Sequence, residues 1–272
     1  MMFNKLPLSV QPLFDEYIKL IKANLSDLVY GVYIQGSIAL NDYDDLKSDI
    51  DYITVLTREP TDEELKKIDY IHNILKKHKN YIVSEGQYTN KKIMSRNQND
   101  HKKRYPRYSD GEFNELNNGY IDPTSLWILK KYGFLVYGHE VKSLSIQVKF
   151  NDLISQMDYN LNKYWLSKIN YEPELFLEDF WIEFGVLTLC RIWYTLENRN
   201  IVSKLQAAKY ILDYVDDKWK PIINEAVRIR ESTGDSIFSD KQLREDVSVN
   251  FIREMIQSCN IEYFESKIED GI

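Results

Sequence analysis

Apolar residues recur at helical spacing through Leu13, Phe14, Tyr17, Ile18, Ile21 and Leu25, with Lys19 and Lys22 on the opposite side. This pattern predicts an amphipathic helix at the start of the chain. The run Val29–Ile34 is too short, and too rich in β-branched and aromatic residues, to be a helix, so it predicts a buried strand stopping at Gly36. Ser37–Leu40 can open a short helix, Asn41–Asp45 has loop chemistry, and Asp49–Leu56 predicts a second strand. Thr61 and Glu64 have the spacing of a capping box, and Leu65, Ile68, Ile71 and Leu75 mark the inner face of the helix it starts. That helix is expected to end near the basic Lys76–Lys79. Tyr81–Thr89 predicts a third strand, and the polar stretch Asn90–Asn118 a long loop or series of short elements. Asp122 and Pro123 open a further helix through Trp127, and a turn at Gly133 leads to the short apolar run Phe134–Tyr137, closed by Gly138.

After about residue 150 the period becomes helical throughout. Leu153, Met157, Leu161 and Trp165 form one stripe, Phe184–Tyr194 reads as a buried helix, and segments starting at Ser203, Pro221 and Asp240 carry spaced apolar residues. The expected fold class is therefore α+β, with a mixed sheet and helices over residues 1–152 and an all-α bundle over 153–272.

A length of 272 residues suits two domains, each with its own core. The net charge of −7 argues against tight binding to nucleic acid and for neutral or cationic partners. Cys190 and Cys259, the only cysteines, sit among apolar neighbours, so buried free thiols in a reducing cytoplasm are expected. Neither a signal peptide nor a membrane-spanning stretch is found, and a cytoplasmic monomer without membrane attachment is the expectation.

The chemistry concentrates in Gly36-Ser37 and in Ser48-Asp49-Ile50-Asp51. Alternate residues of a strand share a face, so Asp49 and Asp51 project together while Ile50 and Tyr52 turn into the core. Two carboxylates about 4 Å apart repel by roughly 4 kcal/mol at an effective dielectric near 20, so such a pair calls for a cation between them. Mg²⁺ carrying the oxygens of a triphosphate answers that need, since it neutralises phosphoryl charge and aligns attacking and leaving oxygens. Gly36 lets the backbone approach the phosphates, and Ser37 adds a hydroxyl. A third carboxylate, able to take the proton of an attacking hydroxyl, is expected on the neighbouring strand, where Glu85 lies.

Gly36-Ser37 followed by Ser48–Asp51 resembles the signature of the DNA polymerase beta-like nucleotidyltransferase superfamily. The second half, through Leu187–Tyr194, Ile201–Ala208 and Trp219–Ala226, resembles the second domain of the aminoglycoside (3″)(9) adenylyltransferases. The resemblance implies transfer of AMP from ATP to a hydroxyl of streptomycin, spectinomycin or a similar compound, with release of pyrophosphate. It implies that Gly36, Ser37 and Ser48 hold the triphosphate, that Asp49, Asp51 and Glu85 serve the Mg²⁺, and that Glu85 is the catalytic base. Lys204 matches a lysine that the family uses on ATP phosphate from across an interdomain cleft, and Ser203 is placed to cap the helix that Lys204 begins.

On the acceptor side the family uses acids and a tryptophan, to which Trp165 corresponds. This chain carries the insertion Ile169–Asp179 and places Trp181 where the family has an aspartate. Glu178, Asp179 and Glu183 make the segment acidic, as a cationic acceptor would favour, although a charge run is also an ordinary solvated face.

A second reading is a regulatory nucleotidyltransferase of the minimal antitoxin type, modifying a protein partner. Such modules act beside a helical ribonuclease with an Arg…His motif, yet His72, His78, His101 and His139 all precede the helical half. A third, a nucleotide sensor without turnover, sits poorly with the retained Asp49, Asp51 and Glu85.

Overall fold

The computed structural model describes residues 5–94, 104–117 and 119–265. The chain divides into two compact units, Met1–Lys149 and Phe150–Ile272.

The first unit is built on a six-stranded mixed sheet in the order β5-β4-β3-β2-β1-β6. The strands are β1 (Val29–Ile34), β2 (Ile50–Leu56), β3 (Ser84–Asn90), β4 (Tyr105–Ser109), β5 (Glu112–Asn117) and β6 (Phe134–Gly138). β2 and β3 run parallel, joined through the helix Asp62–Leu75, and the remaining neighbours are antiparallel. Helices α1 (Gln11–Asn24), the single turn α2 (Gly36–Ala39), α3 (Asp62–Leu75), the turn α4 (Lys91–Met94) and α5 (Pro123–Lys131) complete it. The buried face of α1 comprises Leu13, Phe14, Tyr17, Ile18 and Ile21, as its period predicts. Thr61 and Glu64 form the expected capping box of α3, and Arg58 grips Glu64 with two bonds of 2.7 and 2.8 Å.

One prediction about this unit needs correction. The third strand starts at Ser84, because Lys79–Tyr81 forms a 3₁₀ turn that carries Tyr81 into the core. Within the polar stretch 90–118, residues 104–117 form the β4–β5 hairpin; residues 95–103 and 118 lie outside the described residues. Asp110 and Gly111, with φ of 53° and 77°, make the hairpin's tight turn, which needs two left-handed residues.

Beneath one face of the sheet lies a core of hydroxyls and rings. His72, fully buried, bonds the Tyr81 hydroxyl through Nδ1 at 3.0 Å and the Tyr88 hydroxyl through Nε2 at 2.8 Å. Tyr17 links Tyr88 (2.7 Å) to Thr54 (2.8 Å). Burial lowers the His72 pKa to about 3, helped by the positive charge of Lys76, so the ring is neutral there.

The second unit contains α6 (Phe150–Tyr159), a π-helical turn Asn160–Trp165, α7 (Leu166–Tyr171), α8 (Asp179–Asn198), α9 (Lys204–Ile211), α10 (Lys220–Glu231) and α11 (Lys241–Cys259). The π turn explains the spacing of four along Leu153, Met157, Leu161 and Trp165: such a stripe drifts around an α-helix, and a wider turn brings it back to the core. Cys190 and Cys259 are free thiols in that core, and burial raises both. Among the described residues no helix is long and apolar enough to cross a membrane.

A buried charge cluster ties this unit together. The Glu225 carboxylate accepts bonds from Arg228 (3.0 Å twice), Ser236 Oγ (2.7 Å), the Ile237 amide (2.9 Å) and Arg244 (3.1 Å). Desolvation alone would raise its pKa, but the bonds from Arg228, the Ile237 amide, Ser236 and Arg244 outweigh it and hold the carboxyl at about 2.

Candidate active site

The β2–β3 register builds the site. Asp51 pairs with Glu85 across the parallel strands, and Gln87, two residues further along β3, pairs with Arg107 of β4. Cross-strand partners share a face and alternate residues return to it, so Asp51, Glu85, Gln87 and Arg107 project together. Tyr52, Gly86, Tyr88 and Tyr108 occupy the other face, where the hydroxyl core holds them.

Gly36 follows β1 with φ of 65°, a conformation that glycine adopts without penalty. The Asp51 carboxylate occupies the place a Cβ on residue 36 would fill. The backbone turn and the carboxylate are thus in direct contact, and the Gln35 amide fixes them by donating to the Asp51 carbonyl at 3.1 Å. Ser37 presents a buried Oγ without a hydrogen-bond partner among the described residues. A buried hydroxyl left unpaired costs about 1–3 kcal/mol, so this one is poised to bond a ligand.

Ser48 is buried, and its Oγ accepts the Asp44 amide at 3.0 Å, closing the loop that delivers Asp49 to the start of β2. Asp49 is exposed. Glu85 lies near it: burial raises the Glu85 pKa, the Asp49 charge raises it further, and Arg107 opposes both. The Arg107 guanidinium stands 3.4 Å from Glu85 Oε2.

A cavity of about 190 Å³ opens over this face, and Asp51, Glu85, Gln87, Arg107, Tyr120 and Ser125 are among its walls. Gln87 donates to the Tyr120 carbonyl, and Asp122, also in the wall, caps α5 by accepting the Thr124 and Ser125 amides at 2.9 and 3.1 Å. Gln87 was accessible from sequence by simple alternation from Glu85. Arg107 was not, because it reaches this face only through the pairing of β4 with β3, which no local pattern in the polar stretch 90–118 specifies.

The donor atoms suit Mg²⁺, a hard cation that takes carboxylate and hydroxyl oxygens, and the Gly36 cradle with the unpaired Ser37 hydroxyl suits phosphate. Among the described residues no three acidic, imidazole or thiol side chains converge tightly enough to cage an ion.

The second unit places the remaining candidates. Ser203 caps α9 in a capping box with Gln206, and Lys204, first residue of that helix, sets its ammonium 4.6 Å from the centre of the Phe184 ring. Trp165 is only 1% exposed, packed edge-on to Tyr164 and against Phe184, so it is a core residue of this unit and presents no surface. Glu178 is exposed just before α8. Asp179 pairs with Arg244 at 2.8 Å, and Glu183 with Arg230 at 3.2 Å.

Residues 148–258 match the family model described as aminoglycoside adenylyltransferase, C-terminal domain. No curated protein gives a significant sequence match. Among solved structures the chain is similar to a crystal structure of spectinomycin adenyltransferase AAD(9) from Enterococcus faecialis with ATP and spectinomycin. The TM-score is 0.63 at 18% identity, covering 91% of this chain and 99% of that one.

Proposed function

We propose, from the match of residues 148–258 to the aminoglycoside adenylyltransferase C-terminal domain, that this chain is a nucleotidyltransferase carrying out Mg²⁺-dependent transfer of AMP from ATP to a hydroxyl of an aminoglycoside or aminocyclitol antibiotic. Spectinomycin or streptomycin types are the proposed acceptors, and the modification confers resistance to them. The observation that carries this reading is the pairing of Asp51 with Glu85 directly against the Gly36 turn, in a chain whose second unit matches this family.

In the proposed reaction the acceptor oxygen attacks the α-phosphorus of ATP, the bond from that phosphorus to the β-phosphate bridge breaks, and pyrophosphate leaves. Glu85 takes the acceptor proton; its raised pKa makes it a better base than an exposed carboxylate. Gly36, Ser37 and Ser48 are the proposed triphosphate contacts, Ser37 through its unpaired hydroxyl. Asp49 and Asp51, with Glu85, are the residues proposed to hold Mg²⁺, which would supply neutralisation of phosphoryl charge. Lys204 is the proposed further phosphate contact. Glu178, Asp179 and Glu183 are the proposed acidic side of the acceptor site, with Trp165 shaping it from the core.

The test is pyrophosphate release from ATP·Mg²⁺ across a panel of aminoglycosides and aminocyclitols. Release with at least one of them is expected, and Glu85→Gln should bind the nucleotide normally while turnover falls by about 10²–10⁴. Silence across the panel from folded, ATP-binding protein would refute the antibiotic acceptor and favour a protein substrate. Full turnover in Glu85→Gln would remove Glu85 from the reaction.

A further inference from the structure

Asp51 and Glu85 pair at the start of β2 and β3, the Asp49 charge acts on Glu85, and Arg107 stands among the cavity walls beside them. Arg107 reaches Glu85 with Nη2 at 3.4 Å from Oε2, the two side chains being 44% and 34% exposed. Charge-assisted bonds of this type settle at about 2.7–2.9 Å, and arginines elsewhere in the same unit do so. Arg58 holds Glu64 at 2.7 Å, and Arg104 holds Asp62 at 2.6 Å and Glu115 at 2.8 Å. Arg107 is thus a loose partner, close enough to offset the repulsion between Glu85 and Asp49 but without a bidentate grip. Its backbone is nonetheless fixed, because Arg107 is paired to Gln87 on one side and to Asn114 on the other.

This pairing also accounts for the open arrangement of the acids. Asp51 and Glu85 are register partners, yet no third acid joins them in a cage among the described residues, and one Glu85 oxygen is directed at the guanidinium. We propose that Arg107 is a positioning residue, the internal counter-cation of the carboxylate cluster in the free enzyme, which holds Glu85 and releases it when a divalent cation and nucleotide take the carboxylates over. The proposal rests on the metal-dependent transfer reading and adds to it a competition: Arg107 and the divalent ion seek the same carboxylate.

Competition of this kind is read by binding. Mn²⁺ is titrated into the full-length protein with saturating α,β-methylene-ATP, which cannot transfer AMP, and free Mn²⁺ is followed by electron paramagnetic resonance. Arg107→Ala should tighten Mn²⁺ binding about two- to fivefold, the range expected of a half-exposed ion pair. Arg107→Lys, which keeps the charge, should restore the wild-type value. In a Glu85→Gln background the Arg107→Ala change should have no effect, which separates competition for Glu85 from the general field of a lost positive charge. Arg107→Gln gives the same reading should the alanine variant fold poorly. Unchanged or weaker Mn²⁺ binding on removing Arg107 overturns the proposal, as does tightening of equal size in both backgrounds. Failure of the wild type to bind Mn²⁺ with nucleotide overturns the metal-dependent reading along with it, so the two failures are told apart.

Discussion

Replacing Gly36 by alanine tests the site at its narrowest point. The added Cβ would lie 2.6 Å from Cγ and 2.8 Å from Cβ of Asp51, closer than real side chains approach. A turn of the carboxylate tip cannot relieve the second contact, so the start of β2 or the turn after β1 must move. The residue would also sit at φ of 65°, which costs an L-residue about 1–2 kcal/mol. Gly111 provides the control: its φ is 77°, but the nearest atoms to its missing Cβ are 3.8 and 3.9 Å away. Gly111→Ala should therefore show the conformational penalty alone. In urea unfolding, Gly111→Ala should lose about 1–2 kcal/mol, and Gly36→Ala that amount plus the cost of displacing Asp51. In pyrophosphate release, Gly36→Ala should fall about a hundredfold, the usual consequence of misplacing a reacting group by about 1 Å, while Gly111→Ala stays within severalfold of wild type. Wild-type turnover in Gly36→Ala would refute the assignment of Asp51, because no relaxation leaves both the new methyl and that carboxylate in place.

Two further outcomes follow from the cores. Glu225→Gln should destabilise the second unit by about 3–5 kcal/mol, since it leaves Arg228 and Arg244 facing a neutral group; chemical denaturation followed by tryptophan fluorescence measures this. The Glu225 pKa is depressed when folded, so its contribution is complete above the unfolded carboxylate value and fades as pH falls toward about 2. His72 acts in the same direction from a higher starting point. Its folded pKa of about 3 lies below the ordinary imidazole value of 6.5, so the unfolded chain binds the extra proton and stability falls below about pH 6.5, by up to about 1.4 kcal/mol per pH unit until pH 3. Imidazole ¹⁵N shifts at pH 5 should show a neutral ring; a protonated His72 in the folded protein at that pH would refute the reading.

The elements that were legible in the sequence are those whose burial is one-sided or complete. Val29–Ile34 and Ile50–Leu56 are nearly continuous apolar runs because both faces are covered, and Asp51 stands out as a polar break in one of them. α1, α3, α8 and α11 declare themselves by period, and Thr61, Ser203 and Asp240 by cap chemistry. The hairpin was not legible, because Arg107, Glu112 and Asn114 are polar and the apolar count falls below that of a strand. Its aromatic side, Tyr105 and Tyr108, is fully buried, and the dipeptide Asp110-Gly111 was the available signal. Trp165 shows the opposite limit: its place in a stripe predicts burial, the family resemblance predicts contact with the acceptor, and in the second unit it is buried against Phe184. Arg107 meets Glu85 across 22 positions of sequence, so no local pattern could have joined them.

The two faces of β2 and β3 divide the work of the site between them. Parallel strands lie about 4.8 Å apart, and unit charges on register partners such as Asp51 and Glu85 repel by about 3 kcal/mol at an effective dielectric of 20. A repulsion of that size is comparable to the effect of a damaging mutation, and an isolated strand pair would relieve it by slipping or splaying. Slippage by one residue would carry Tyr52 and Tyr88 out of the core and expose the unsatisfied hydroxyl and imidazole groups of Tyr17 and His72. The hydrogen-bonded core under the sheet thus fixes the register that the carboxylates on its other face oppose. Those carboxylates stay side by side, loosely countered by Arg107, because the alternative arrangement breaks the network beneath them. An ion bound there would meet carboxylates whose mutual repulsion is already borne by the fold, and would have the loose Arg107 contact to displace.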